Sequence, residues 1–119
     1  MLLKTTQPAV LAAKLFRGLA DPTRMRILLT LQDGPRRVRD LQAELGSSQA
    51  NISGHLACLK GCGLVVDQPQ GRSTYYRLAQ PEIYQLLQAA EALLASVGHS
   101  VQLCTHCAAE AEPDPARCC

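Results

Sequence analysis

The sequence predicts a mainly α fold carrying one β-hairpin, and three observations point that way. Aromatic residues make up only 3% of the 119, with no Trp and a single Phe. The core must therefore be assembled from Leu, Ile, Val and Ala, a composition that suits helices better than a sandwich or barrel. Apolar residues recur at helical spacing in stretches punctuated by Pro, Gly, Asp and Ser, and one pair of β-branched and aromatic runs flanks a turn. A chain of this length has room for one core and not for two.

Taken in order, Val10, Leu11, Lys14, Leu15 and Gly18 outline a first helix after Pro8. Asp21 and Pro22 open a second, because the carboxylate caps backbone N–H groups and proline at the first helical position gives up no hydrogen bond. Ile27, Leu28 and Leu31 form its apolar stripe, which ends near Asp33 and Gly34. Val38, Leu41 and Leu45 give a short third helix stopped by Gly46. Ser48 caps a fourth, with Ile52, Leu56 and Leu59 as its buried stripe and Gly61 and Gly63 at its end. Leu64–Gln68 and Ser73–Leu78 read as strands around the turn Pro69–Arg72. After Pro81, the residues Ile83, Leu86, Leu87, Ala90, Leu93, Leu94 and Val97 make a helix of about four turns.

A short helix, a Gly-Ser turn and a polar-studded helix form a helix-turn-helix, whose second helix enters a DNA major groove. The hairpin that follows makes it a winged helix-turn-helix. Ser48, Gln49, Asn51, Ser53 and His55 lie off the buried stripe and are the expected base-facing groups. Arg72 at the hairpin tip, with Arg37 and Arg39, is placed to hold phosphates. Residues 1–80 hold eleven Lys or Arg against five Asp or Glu, and 81–119 hold one against five. That asymmetry suits a body facing phosphates, although solvated surface alone also produces such a split.

Six cysteines stand in two clusters: Cys58 and Cys62, then Cys104, Cys107, Cys118 and Cys119. Four residues apart on a helix, the first pair shares a face with Cβ atoms about 5–6 Å apart, close enough to hold one soft ion. The competing assignment is a pair of small buried hydrophobes. Two thiolates hold an ion poorly, and further donors must come from the tail, which spans up to roughly 23 Å between Val97 and Cys104 if extended. Sulfur donors select Cd(II), Pb(II), Zn(II), Hg(II) or As(III) over Mg(II) or Ca(II). Cys104 and Cys107 form half of a zinc-knuckle pattern. Cys118 and Cys119 are weaker ligand candidates, and His106 is expected beside the thiols and not among the ligands.

The segments ADPTRMRIL at 20–28, SSQANISGHLACLKGCGLV at 47–65 and GRSTYYRL at 71–78 resemble the ArsR/SmtB family of metal-sensing repressors. The resemblance extends over roughly residues 8–97 and is nearest to the cadmium- and lead-sensing CmtR-like branch. It implies a homodimer that binds double-stranded operator DNA when metal-free and releases it when Cd(II) or Pb(II) binds. It also implies that Cys58 and Cys62 are joined by a cysteine of the C-terminal tail, and that no catalysis occurs. Where relatives carry cysteines in the motif ELCVCD, this chain has Val38-Arg39-Asp40. The last helix has no His or Asp between Ile83 and Val97 for the zinc pattern.

The expected organisation is a DNA-binding and dimerisation domain over 1–97 and a flexible cysteine-rich tail over 98–119. Charges interrupt every apolar run near the N-terminus, so neither a signal peptide nor a membrane span is expected, and the location is cytoplasmic. Three alternatives stay open. The signal is As(III) or Hg(II) at the same thiols, or a disulfide switch replaces the metal, or the last helix buries its stripe on its own domain instead of on a second copy.

Overall fold

Asp21 accepts a hydrogen bond from the Arg24 amide at 3.0 Å, and Pro22 occupies the first helical position. The second helix therefore starts where cap and proline dictate. The same local logic runs through the computed structural model, which describes residues 7–104. Its elements are α1 (Pro8–Leu19), α2 (Pro22–Leu31), α3 (Val38–Leu45), α4 (Gln49–Gly61), β1 (Val65–Gln70), β2 (Ser73–Leu78) and α5 (Glu82–Ser96). Gly46 ends α3 at φ 71°, a left-handed conformation that costs glycine nothing. Two residues later the Ser48 hydroxyl accepts from the Asn51 amide at 3.1 Å and opens α4. Five helices and an antiparallel hairpin thus form a winged helix-turn-helix.

One apolar core unites the elements. Ile27, Leu28 and Leu31 of α2 meet Leu41 of α3 and the Ile52, Leu56 and Leu59 stripe of α4, with Leu64 and Val65 below and Ile83 and Leu87 from α5. Burying each such side chain is worth about 1.5–3 kcal/mol, so this stripe fixes the rotation of α4 about its own axis. The polar residues of α4 consequently face away from the core.

The hairpin departs from the sequence expectation in two ways. β1 continues through Pro69 and Gln70, so the turn is only Gly71 and Arg72, with Gly71 at φ 62°. Pro69 is tolerated because it sits in an outer strand, where its missing N–H breaks no ladder. Arg36 also pairs with Tyr76, through amide-to-carbonyl hydrogen bonds of 3.0 and 2.8 Å, and so attaches the start of α3 to the wing.

Residues 99–104 do not trail away. The His99 amide returns to the Leu94 carbonyl at 2.8 Å, Gln32 donates to the Leu103 carbonyl at 2.7 Å, and the Glu91 carboxylate accepts from the amides of both Leu103 and Cys104. Cys104 is 1% exposed within the core cluster. The described part of the expected flexible tail is therefore docked, because Glu91 satisfies its amides and Leu103 and Cys104 bury apolar surface. Cys107, Cys118, Cys119 and His106 lie outside the described residues. No helix among the described residues is long and apolar enough to cross a membrane.

Candidate nucleic-acid interface and thiol pocket

A groove of about 480 Å³ opens between α4, the start of α3 and the wing. It is lined by Arg37, Val38, Arg39, Gln49, Ser53, Arg72, Ser73, Thr74 and Tyr76. Five of the eight sequence-selected contact residues stand in it: Gln49, Ser53, Arg37, Arg39 and Arg72. Ser48 and Asn51 are exposed in the first turn of α4 beside it. Gln49 and Ser53 are joined through a 3.1 Å hydrogen bond, and the Asn51 amide group reaches the Ser47 hydroxyl at 3.4 Å.

Arg37 differs from the other two arginines. Its Nε and Nη2 each lie 3.0 Å from the Asp40 carboxylate, its guanidinium lies 5.7 Å from the centre of the Tyr75 ring, and its backbone N–H donates to Asp40 at 2.9 Å. The Arg37 side chain and amide hold the Asp40 carboxyl at a pKa of about 2. Arg37 thus ties α3 to the wing and offers a partly compensated charge, whereas Arg39 and Arg72 are exposed.

His55 was expected on the DNA-facing side and points elsewhere. Its Nδ1 lies 3.3 Å from Arg24 Nη1, and its Nε2 lies 3.7 Å from Asp21. The Arg24 guanidinium also donates to the Gly18 carbonyl at 2.7 Å and the Arg17 carbonyl at 3.0 Å. It thereby caps the negative end of α1 while bridging to the middle of α4. Periodicity could not reveal this, since a residue off the core stripe of α4 faces either the groove or the start of α2. The role of Arg24 was missed for the same reason.

One turn further along α4, Cys58 is exposed and Cys62, the C-terminal cap, is half-buried. Both line a pocket of about 360 Å³ with Lys14, Arg17, Gly18, Arg24, Ala57 and Gly61. Gly18 is buried there, and a Cβ at that position would stand 2.7 Å from Cys62 Sγ. The glycine lets α1 close over the thiol. Two soft sulfur donors, at least one open to solvent, suit a thiophilic ion and leave room for another donor. Cys104 follows Leu103, whose carbonyl accepts from Gln32, the residue that caps the far end of α2, and α2 is a ten-residue helix about 15 Å long. Accordingly, no group of three His, Cys, Asp or Glu residues able to hold a metal gathers among the described residues.

Comparison with known proteins agrees with this architecture. The family described as "Bacterial regulatory protein, arsR family" matches residues 21–66, from the cap of α2 into β1. The transcriptional regulator CmtR of Mycobacterium tuberculosis is 49% identical over 75 residues, which span 63% of this chain and 64% of that protein. The NMR structure of the cadmium metal-sensor CmtR from M. tuberculosis superposes with a TM-score of 0.56 at 44% identity, covering 76% of this chain and 91% of the other. A probable mercury resistance operon repressor of Streptomyces lividans is 34% identical over 84% of this chain and 80% of its own length. The crystal structure of Rv0081 from M. tuberculosis reaches a TM-score of 0.71 at 35% identity, over 76% and 93% of the two chains. With a polar fourth helix seated between a basic wing and a two-thiol pocket, and with the S. lividans repressor 34% identical over most of its length, the chain belongs to the arsR family of bacterial regulatory proteins.

Proposed function

We propose that this protein is a dimeric, metal-responsive repressor that binds operator DNA through α4 and the wing, and that Cys58 and Cys62 hold the inducing ion. The observation that carries the reading is the position of the thiol pair on α4 itself. The helix that presents Gln49, Asn51 and Ser53 at its start ends in Cys58 and Cys62. Whatever those thiols bind acts on the helix that touches DNA.

In the metal-free dimer, Ser48, Gln49, Asn51 and Ser53 face base edges while Arg72 and Arg39 hold phosphates. Cys58 and Cys62 would hold the ion, Cd(II) or Pb(II), which when bound would supply a Lewis-acidic centre for thiolates, with Cys104 or Cys107 as the tail donors and Cys118 and Cys119 as reserves. For Cys104 to serve, Glu91 must release its amide and Gln32 the adjoining Leu103 carbonyl, or a second copy must provide it. Cys62 packs against Gly18, and the Gly18 carbonyl is held by Arg24, which in turn meets His55 of α4. A shift of Cys62 therefore reaches α4 by two routes, along the helix and through α1. Coupling of about 1–3 kcal/mol would weaken operator binding about 5- to 150-fold. The CmtR and S. lividans relatives, named for metal sensing or metal resistance, support this reading.

The test is operator binding by Cys58→Ser and Cys62→Ser, measured by fluorescence anisotropy with and without Cd(II) or Pb(II). Both variants are expected to bind DNA as the wild type does without metal and to stay bound when it is added. Release of either variant at wild-type metal levels would remove the site assignment.

A further inference from the structure

The thiol pocket is more cationic than two cysteines require. Lys14, Arg17 and Arg24 line it with Cys58 and Cys62, and no carboxylate does. Arg24 is fixed by the Gly18 and Arg17 carbonyls and by His55. Lys14 and Arg17 enter none of the ion pairs among the described residues. Asp21 caps α2 and stands beside His55, outside the lining. These positive charges therefore act on the pocket without an opposing carboxylate in its wall.

When a cysteine takes up a soft ion, its sulfur binds as thiolate and its proton passes to solvent. The charge left behind depends on the ion. A divalent ion held by three thiolates is a net monoanion, whereas As(III) with three thiolates, or Hg(II) with two, is neutral. A wall of cations stabilises the first and is indifferent to the others.

We propose that Lys14 and Arg17 are specificity-determining residues that favour divalent, anionic thiolate complexes such as those of Cd(II) and Pb(II) over neutral complexes of As(III) or Hg(II). The inference rests on Cys58 and Cys62 being the metal ligands. Each cation is exposed, so screening limits it to a contribution of roughly two- to fivefold in affinity. Together they separate Cd(II) from As(III) by about tenfold.

The experiment uses the full-length protein and reads thiolate-to-ion absorption in competition titrations with Cd(II) and with As(III), each at low and high salt. In the double variant Lys14→Gln/Arg17→Gln, Cd(II) affinity should fall about tenfold and lose most of its salt dependence, while As(III) affinity changes less than twofold. The charge-retaining variant Lys14→Arg/Arg17→Lys should keep wild-type selectivity, and circular dichroism confirms that each variant is folded. An unchanged Cd(II)-to-As(III) ratio in the folded double variant, or loss of selectivity in the charge-retaining one, overturns the proposal. Cys58→Ser run alongside separates the two levels. If it abolishes the Cd(II) signal while the neutral variant keeps the ratio, only the charge inference fails; if it leaves the signal intact, the ligand assignment fails and takes the inference with it.

Discussion

Arg37 and Asp40 show how one pair of side chains can serve both the fold and the DNA-facing groove. The guanidinium lies against the carboxylate on one side and the Tyr75 ring on the other, so α3 and the wing are held in one orientation. Because the folded Asp40 carboxyl titrates at about 2 and the ordinary value is 3.8, its contribution to stability is present above the ordinary value and fades as pH falls towards 2. Asp40→Asn should therefore lower the urea midpoint at pH 7 and flatten the fall in stability between about pH 4 and pH 2, when both proteins are unfolded in urea across that range. A wild-type acid limb in the variant would show that the pair does not report on folding. The sequence grouped Arg37 with Arg39 as phosphate-holding residues, but did not separate Arg37, which is bound to Asp40, from the exposed Arg39. The Asp40 contact is local, three residues along at the start of α3, whereas the Tyr75 ring that flanks Arg37 is distant in sequence and close only once the hairpin has folded.

At the level of elements, α4 is a rod with three faces. The stripe of Ile52, Leu56 and Leu59 is buried, the polar first turns meet the groove, and on the third side His55 meets Arg24 of α2 while Cys62 meets Gly18 of α1. The caps at Asp21 and Ser48, the stop at Gly46 and the apolar stripes were legible because each is a local property of consecutive residues. The Arg36–Tyr76 bridge was not, since a single extended residue carries no periodicity. The wing makes a separate expectation. Arg72 is exposed in a two-residue turn and contacts phosphate in the proposed complex, so Arg72→Ala should weaken binding almost equally for all sequences and reduce the salt slope by about one unit. Asn51→Ala should instead relax sequence preference, costing about 1–3 kcal/mol on the preferred site only. Anisotropy titrations on the preferred and scrambled duplexes at several salt concentrations distinguish the two. A sequence-selective loss in Arg72→Ala would assign the wing to base contact.

On the scale of the whole molecule, apolar surface is concentrated on the two outermost helices. Val10, Leu11 and Phe16 of α1 are about half exposed, and Leu93 and the adjoining Val97 at the end of α5 are 67% and 63% exposed. Ile83 and Leu87 are the buried positions of α5, so the outer half of its stripe is left over after the domain has closed its own core. A second copy is the proposed cover, and symmetric pairing would present two copies of α4 to a palindromic operator. Placing a carboxylate in that patch with Leu93→Glu should raise the dimer dissociation constant by about 100-fold or more, because an unpaired charge would have to be desolvated on association. Sedimentation velocity at micromolar concentration would then show a monomer with an unchanged helical spectrum. A persistent dimer would locate the interface elsewhere. The α5 stripe was visible in the sequence, but what it packs against was not, since periodicity describes a face and not its neighbour.

The grip of Glu91 on the amides of Leu103 and Cys104 bears on chemistry that has nothing to do with DNA. Cys58 faces water, Cys62 is half covered by α1, and Cys104 is sealed beneath α5. Electrophiles and peroxides therefore meet the three sulfurs as a graded series, the outermost consumed first and the innermost kept in reserve until its strap lets go.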